Sequence, residues 1–142
     1  MNQTLRILVA EDNPGDVELV REALREYDVK CNLFVARDGG EVEQYLDRMG
    51  KSDDAPYPDL LMLDLNLPKA HGFELFQLFR ANSRCTETPV VIMTSSSAPK
   101  DRERARALGA ARYFCKPCDL AEFLKLGWVV RQLVQERGLA VA

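Results

Sequence analysis

The run Leu60-Leu61-Met62-Leu63 is apolar at every position and stops at Asp64, which Leu65-Asn66-Leu67-Pro68 follows. A short, uninterrupted apolar run is typical of a central strand that is covered on both faces. A charged residue that directly ends a fully apolar strand is less common than a carboxylate in an ordinary loop. The stretch therefore predicts the middle strand of a parallel sheet and makes Asp64 a candidate functional residue.

Three further apolar runs end in the same way, each at a polar residue suited to phosphate chemistry. The residues that follow them are Glu11 and Asp12 after 7–10, Thr94 after 90–93, and Lys116 after 113–115. If the runs are parallel strands, all their carboxyl ends lie at one edge of a sheet. That edge then carries three carboxylates, a hydroxyl and an ammonium, which together suit a metal ion and a phosphoryl group.

Strand-like and helix-like segments alternate five times along the chain. The predicted strands are Leu5–Ala10, Cys31–Ala36, Leu60–Leu63, Val90–Met93 and Ala111–Cys115. The spacing of apolar residues predicts a helix after each strand, and Asp119 can cap the last one, which runs to about Glu136. Five such units favour an α/β fold, a flavodoxin-like doubly wound parallel sheet of order 2-1-3-4-5 flanked by five helices.

Length and composition favour one globular domain. The chain has 142 residues, is 46% hydrophobic and 29% charged, and carries a net charge of −3. This acidic balance argues against nucleic acid, whose phosphates are bound by clustered Lys and Arg. No apolar stretch approaches the ~20 residues of a membrane span, and the N-terminus does not resemble a secretion signal. We therefore expect a cytoplasmic protein with a single domain over 1–142, a core at about 5–136, and no output domain.

The carboxylates at the predicted sheet edge favour a metal ion. In the order 2-1-3-4-5, the crevice between the first and third strands places Glu11 and Asp12 opposite Asp64. Clustered carboxylates repel one another, and a divalent cation relieves that repulsion. Oxygen ligands without His or Cys favour Mg²⁺. Asp12 and Asp64 are the candidate direct ligands, Glu11 acts through water, and the Asn66 backbone carbonyl completes the set.

The same edge predicts phosphoryl transfer. Asp64 can attack phosphorus as a nucleophile and become an acyl phosphate. Lys116 offers a compact positive charge to one phosphoryl oxygen, and the Thr94 hydroxyl can donate to another. Taken singly, Asp12 could be a turn or cap residue, Asp64 a plain loop carboxylate, Thr94 a polar turn and Lys116 a solvated lysine. The combination of all four residues, each at its own strand end, favours the catalytic interpretation.

Together these residues resemble the receiver domain of two-component response regulators. The matching residues are Glu11-Asp12, Asp64, Asn66, Pro68, Gly72, Thr94-Ser95, Tyr113 and Lys116-Pro117. The chain looks similar to single-domain receivers such as the chemotaxis response regulator. The Asp64–Lys69 segment and the long loop before the third strand also look similar to the small regulators that are paired with bacterial phytochromes.

The resemblance implies a signalling switch with little enzymatic activity beyond self-phosphorylation and self-dephosphorylation. Asp64 would accept a phosphoryl group from a sensor histidine kinase, for which a bacterial phytochrome is a candidate. Thr94 would move toward the phosphoryl group, and Tyr113 would turn inward behind it. The resemblance also implies a cis Lys116–Pro117 peptide bond, which X–Pro bonds permit at low cost.

Other functions remain open from the residues alone. An aspartyl phosphatase of the haloacid-dehalogenase type needs an aspartate as general acid two residues after its nucleophile, where this chain has Asn66. A redox role would depend on Cys115 and Cys118, but Cys115 is expected to point into the core. A phosphorylation-independent adaptor fits the fold but leaves the intact site without a role. The single histidine, His71, is expected in a surface loop.

The last predicted helix carries more apolar residues than one buried face needs. Its predicted core stripe is Phe123, Leu126 or Gly127, Val130, and Leu133 or Val134. Leu124, Trp128 and Val129 fall largely outside that stripe, and an exposed apolar stripe can mark an association surface. We therefore predict a homodimer or partner face formed by this helix, the fourth helix and the fifth strand. The alternative is a wider buried face on a long helix.

Overall fold

The computed structural model describes residues 4–69 and 71–139. Five strands form one sheet: β1 (Leu5–Ala10), β2 (Cys31–Ala36), β3 (Leu60–Leu63), β4 (Val90–Thr94) and β5 (Arg112–Cys115). All neighbouring strands are parallel and the order is β2-β1-β3-β4-β5, which confirms the predicted topology. Strand β5 begins one residue later than predicted, although Ala111 N still donates to Val90 O at 2.8 Å.

A helix follows each strand: α1 (Pro14–Glu26), α2 (Gly39–Arg48), α3 (Gly72–Ala81), α4 (Pro99–Ala107) and α5 (Leu120–Glu136). A short 3-10 helix at Ser83–Cys85, which was not predicted, follows α3. The side chain of Asp119 caps α5 by accepting from Ala121 N, as expected, whereas α1 is capped by Asn13. Asp12 therefore does not cap α1, which was the alternative role that the sequence left open for it.

Successive side chains of the sheet point to opposite faces and build two apolar layers. On one face, residues such as Leu8, Leu63 and Ile92 pack with the phenylalanines of α3, including Phe76. On the other face, Ile7, Val9 and Met62 are among the strand residues that pack with α1 and α5. The central strands β3 and β4 are buried at every position, as a continuous apolar run predicts.

Helices α1 and α5 approach each other closely on the second face. A Cβ atom on Gly127 of α5 would lie 1.9 Å from the backbone oxygen of Ala23 in α1, so only glycine fits there. The buried residues of α5 are Phe123, Leu126, Gly127, Val130, Leu133 and Val134, which confirms the predicted core stripe. None of the helices in the described part of the chain is long and apolar enough to cross a membrane.

Candidate functional site

The predicted functional residues converge at the carboxyl edge of the sheet because the strands are parallel and in register. Ala10 of β1 lies opposite Leu63 of β3, so Glu11 and Asp64 follow neighbouring strand ends. Hydrogen bonding between the strands continues into the site, where Asp64 N donates to Ala10 O at 3.0 Å and Lys116 N donates to Thr94 O at 2.7 Å. Hydrogen bonding between the strands therefore fixes the backbone positions from which the functional side chains extend.

Three carboxylates form the acidic part of the site, which we call the acidic trio: Glu11, Asp12 and Asp64. One oxygen atom from each lies within 4.8 Å of the others. Glu11 and Asp64 are buried, with 1% and 4% of their surfaces exposed, whereas Asp12 is exposed. Two buried carboxylates and one solvent-facing carboxylate make a pocket that is open to an incoming cation on one side.

Lys116 is the cationic partner of the pocket. Its Nζ lies 2.5 Å from Glu11 Oε1, 2.8 Å from Asp16 Oδ2 and 2.9 Å from Asp64 Oδ2. Burial disfavours the charged form of Lys116, but hydrogen bonds to Asp16, Asp64 and Glu11 outweigh that effect and raise its pKa. The ammonium is therefore held charged, and its three N–H donors all face carboxylates.

Glu11 is the most deeply buried member of the acidic trio. Its Oε2 accepts from Asn13 N at 3.1 Å, and its buried Oε1 faces the Lys116 ammonium. Burial raises the pKa of Glu11 to about 7, with hydrogen bonding to Lys116 opposing the rise and the Asp64 charge adding to it. A buried carboxylate beside two further carboxylates offers the oxygen ligands that suit a hard divalent cation.

Asp64 is oriented by two partners that engage different oxygens. Asn66 N donates to Oδ1 at 3.0 Å, while Lys116 Nζ contacts Oδ2. The Asn66 side chain points toward Thr94, with its Nδ2 3.5 Å from Thr94 Oγ1. Thr94 is fully buried at the end of β4. The structure thus brings all the predicted catalytic and metal-ligating residues to one edge of the sheet.

Ser96 connects Thr94 to the surface formed by α4 and β5. Its backbone N donates to Thr94 Oγ1 at 3.3 Å, and its hydroxyl donates to Asp101 Oδ2 at 2.6 Å. Its carbonyl oxygen accepts from the Tyr113 hydroxyl at 2.8 Å, and the Arg102 guanidinium lies 4.5 Å from the Tyr113 ring centre. Burial raises the pKa of Tyr113, so its hydroxyl stays protonated and acts as a donor.

Two expectations around Lys116 need correction. The Lys116–Pro117 bond is trans, since no described peptide bond is cis; the two X–Pro isomers differ by only about 0.5–1 kcal/mol, so sequence alone does not choose between them. Cys115 does not point fully into the core but is half-buried, with its Sγ 3.9 Å from Ser95 O. Strand β5 lies at the edge of the sheet, so its side chains are only partly covered.

The predicted association residues on α5 differ in exposure. Trp128 is 53% exposed, whereas Leu124 and Val129 are half-buried and Leu124 packs against the second apolar layer. Leu120, one turn before Leu124, is 57% exposed and extends the apolar surface toward the start of the helix. His71 is exposed as expected, and its Nδ1 accepts from Phe73 N at the start of α3.

Asp16 is the site residue that sequence reasoning missed. It lies in the first turn of α1 and contacts Lys116, which is 100 residues away in the sequence. The only signal was its acidic side chain at the start of the predicted first helix. Acidic residues are common in the first helical turn for electrostatic reasons alone, so the position was not distinctive.

Comparison with known proteins agrees with this geometry. Residues 7–126 match the response regulator receiver domain family. Response regulator Rcp1 of Synechocystis sp. is 32% identical over 120 residues, which cover 84% of this chain and 82% of Rcp1.

Similar solved structures include two from this group of proteins. One is the Mn²⁺-bound form of Rcp1, with a TM-score of 0.82 and 30% identity over 97% of this chain and 99% of that one. The other is the phosphorylated cyanobacterial phytochrome response regulator RcpA, with a TM-score of 0.81 and 30% identity over 92% of this chain and 94% of that one. The chain therefore belongs to the receiver-domain family of two-component response regulators, whose members act as phosphoacceptor switches.

Proposed function

We propose that Asp64 is the residue that accepts the phosphoryl group. The observation that carries this proposal is the geometry of its two oxygens. Oδ1 is held by Asn66 N and Oδ2 by the Lys116 ammonium, so a buried carboxylate is oriented and electrostatically paired at the open edge of the sheet. Asp12 is exposed, and Glu11 has a pKa raised to about 7, so neither matches the oriented carboxylate of Asp64 as a nucleophile.

We infer that the divalent cation of this site is Mg²⁺, held by Glu11, Asp12, Asp64 and the Asn66 backbone carbonyl. The donors of the acidic trio are all oxygens, which suit a hard cation, and receiver domains bind a divalent metal. When bound, the cation supplies positive charge beside the phosphoryl oxygens. The buried carboxylate of Glu11 would face that positive charge.

Three side chains, those of Asp64, Lys116 and Thr94, act in the transfer. An Asp64 oxygen forms a bond to phosphorus as the bond between phosphorus and the kinase histidine nitrogen breaks, and the electron pair leaves with the nitrogen. Lys116 donates to a phosphoryl oxygen from its position 2.9 Å from Asp64. The Thr94 hydroxyl lies next to Asn66 and donates to a second oxygen once it turns toward Asp64.

The switch that follows involves Thr94 and Tyr113. Both hydrogen-bond to Ser96, so a shift of Thr94 toward Asp64 pulls on the segment that holds the Tyr113 hydroxyl. Ser96 also hydrogen-bonds to Asp101 in α4, which extends the change to that helix. Phosphorylation thereby alters the surface that α4 and β5 present to a partner protein.

The kinase partner of this receiver is a sensor histidine kinase, and we infer a bacterial phytochrome as its class. Receiver domains accept phosphoryl groups from histidine kinases. Support for a phytochrome comes from the similarity to the phytochrome response regulator RcpA and to the bacteriophytochrome response regulator AtBRR, which is 33% identical with a TM-score of 0.72. Association through α4, β5 and α5 as a homodimer is the accompanying proposal, supported by the exposed Trp128.

Hydrolase and adaptor functions have less support. A general acid two residues after Asp64 is replaced by the amide of Asn66, which points to Thr94 and carries no acidic proton. An adaptor that works without phosphorylation does not need Lys116 buried among three carboxylates. We propose that catalysis by this chain is confined to its own phosphorylation and dephosphorylation.

Intact-mass measurement after incubation with acetyl phosphate and Mg²⁺ tests the proposal. Wild-type protein should gain one phosphoryl group, and Asp64→Asn, which keeps the side-chain shape, should gain none. Asp59→Asn is a matched control, because Asp59 lies before β3 and pairs with Arg6 at the opposite edge of the sheet. Phosphorylation of Asp64→Asn to the wild-type level would contradict the assignment of Asp64.

A further inference from the structure

Asp16 contributes a third carboxylate to Lys116 but stands apart from the acidic trio. Its Oδ2 is 2.8 Å from Lys116 Nζ, which is as close as the Asp64 oxygen at 2.9 Å. We propose that Asp16 is a positioning residue that holds the Lys116 ammonium on the phosphoryl group. This inference rests on the proposed function of Asp64.

Local structure holds the Asp16 side chain in place. The Asn13 side chain accepts from Gly15 N at 2.8 Å and from Asp16 N at 3.2 Å, so the first turn of α1 is capped at this residue. Asn13 N in turn donates to Glu11 Oε2 at 3.1 Å. The turn that carries Asp16 is thus tied to the end of β1, and only 22% of the Asp16 side chain is exposed.

Tertiary packing holds the two partners together. Lys116 lies just before α5, and Asp16 lies at the start of α1, so the distance between them depends on how those helices pack. The close approach at Gly127 and Ala23 fixes that packing without an intervening side chain. The contact between Asp16 and Lys116 is therefore supported at both ends by structure that the reaction does not alter.

The three carboxylates around Lys116 have different roles in the proposed reaction. Glu11 is committed to the cation and Asp64 to the phosphoryl group, whereas Asp16 does not belong to the acidic trio. During transfer, one Lys116 donor must therefore leave a carboxylate and turn to a phosphoryl oxygen. Asp16 is the carboxylate that retains its contact, and it keeps the flexible lysine chain from moving into solvent.

The test measures phosphorylation and metal binding in the same variants. Asp16→Ala should slow phosphorylation of Asp64 by acetyl phosphate in saturating Mg²⁺ about tenfold, the lower end for a hydrogen bond between charged groups. It should also weaken capture of beryllofluoride, a phosphoryl stand-in, by a similar factor. Mn²⁺ affinity, measured by electron paramagnetic resonance, should stay within about threefold, because Asp16 is not among the proposed ligands. Asp16→Asn should recover part of the rate through its amide oxygen.

Glu18→Ala is the matched control, since Glu18 is exposed on the same helix and pairs with Arg21 at 3.4 Å, away from Lys116. It should behave as wild type. An Asp16→Ala protein that is phosphorylated at the wild-type rate would overturn the inference and leave Asp64 in its role. An equal loss of Mn²⁺ affinity and phosphorylation would indicate collapse of the turn after β1 and would also overturn it. Failure of the wild-type protein to gain a phosphoryl group would instead overturn the proposed function itself.

Discussion

Glu11 and Lys116 lie side by side with little exposure to solvent, and burial disfavours the charged form of each. For Glu11 the loss of hydration prevails, and its pKa rises to about 7. For Lys116 the hydrogen bonds to carboxylates prevail over the loss of hydration, and its pKa rises as well. The raised pKa of Glu11 favours its protonated form near neutral pH, whereas the Lys116 ammonium is charged there with or without its shift.

Metal-free protein should lose stability as the pH rises from about 4.5 to about 7. The pKa of Glu11 is higher in the folded state than its ordinary value of 4.5, so the unfolded chain releases its proton first and is favoured over this interval. Urea unfolding at a series of pH values, with a chelator present, measures the slope of the free energy of unfolding against pH. Glu11→Gln should flatten the slope, and Glu18→Gln, at an exposed position, should not. An unchanged slope in Glu11→Gln would contradict the shifted pKa.

Replacement of Lys116 by Gln should strengthen divalent metal binding while abolishing efficient phosphorylation. The ammonium lies against oxygens of Glu11 and Asp64 that are proposed metal ligands, so its removal takes away a competing charge. Mn²⁺ titration followed by electron paramagnetic resonance measures the affinity, and intact mass after acetyl phosphate measures the transfer. Lys125→Gln, which removes an exposed lysine that pairs with Glu122, is the control. Weaker Mn²⁺ binding in Lys116→Gln would count against a shared pocket.

At the scale of helices and strands, the contact between α1 and α5 leaves no room for an added side chain at Gly127. Gly127→Ala should destabilise the protein by about 2 kcal/mol, because the added methyl group meets the backbone oxygen of Ala23 and the helices must separate. The gain in helix propensity from glycine to alanine offsets only part of this cost. Urea unfolding gives the change in free energy. Gln135→Ala, at an exposed position of the same helix, should change stability little, whereas a stabilised Gly127→Ala protein would contradict the packing.

Helix α4 is anchored much less firmly than α5. Ala105 is its only buried residue, and polar contacts from Ser96 to Asp101 and from Arg102 to Tyr113 hold it to its neighbours. Elements with few buried apolar contacts open most easily. The α-helix with the fewest buried residues therefore lies next to Thr94 and Tyr113, where the proposed switch acts.

For the whole molecule, the exposed apolar surface on α5 makes association the expected behaviour. Trp128→Glu should convert a homodimer into a monomer, because it places a charge in a surface that must lose water on contact. Sedimentation with and without beryllofluoride measures the oligomeric state. Gln135→Glu introduces the same charge at another exposed position of α5 and should leave association unchanged. Wild-type protein that stays monomeric in both states would exclude the dimer.

The fold could be predicted because its signals are local. Each strand is a short apolar run such as Leu60–Leu63, and alternation with helices dictates parallel neighbours. The polar residue that ends each run then lies at the carboxyl edge whatever the details of packing, so the convergence of Glu11, Asp64, Thr94 and Lys116 followed from sequence order. The 3-10 helix at Ser83–Cys85 was missed because three residues carry no periodicity.

Sequence by itself thus determined the strands, their order and the residues at the carboxyl edge, since apolar periodicity and strand direction are properties of short segments. Only the tertiary structure decided that Asp16 meets Lys116 and that Gly127 meets Ala23. Those distances depend on the depth at which α1 and α5 pack together, and that depth is set by side chains far apart in the chain. Burial of Glu11, which shifts its pKa, is likewise a property of the assembled layers and not of its neighbours in sequence.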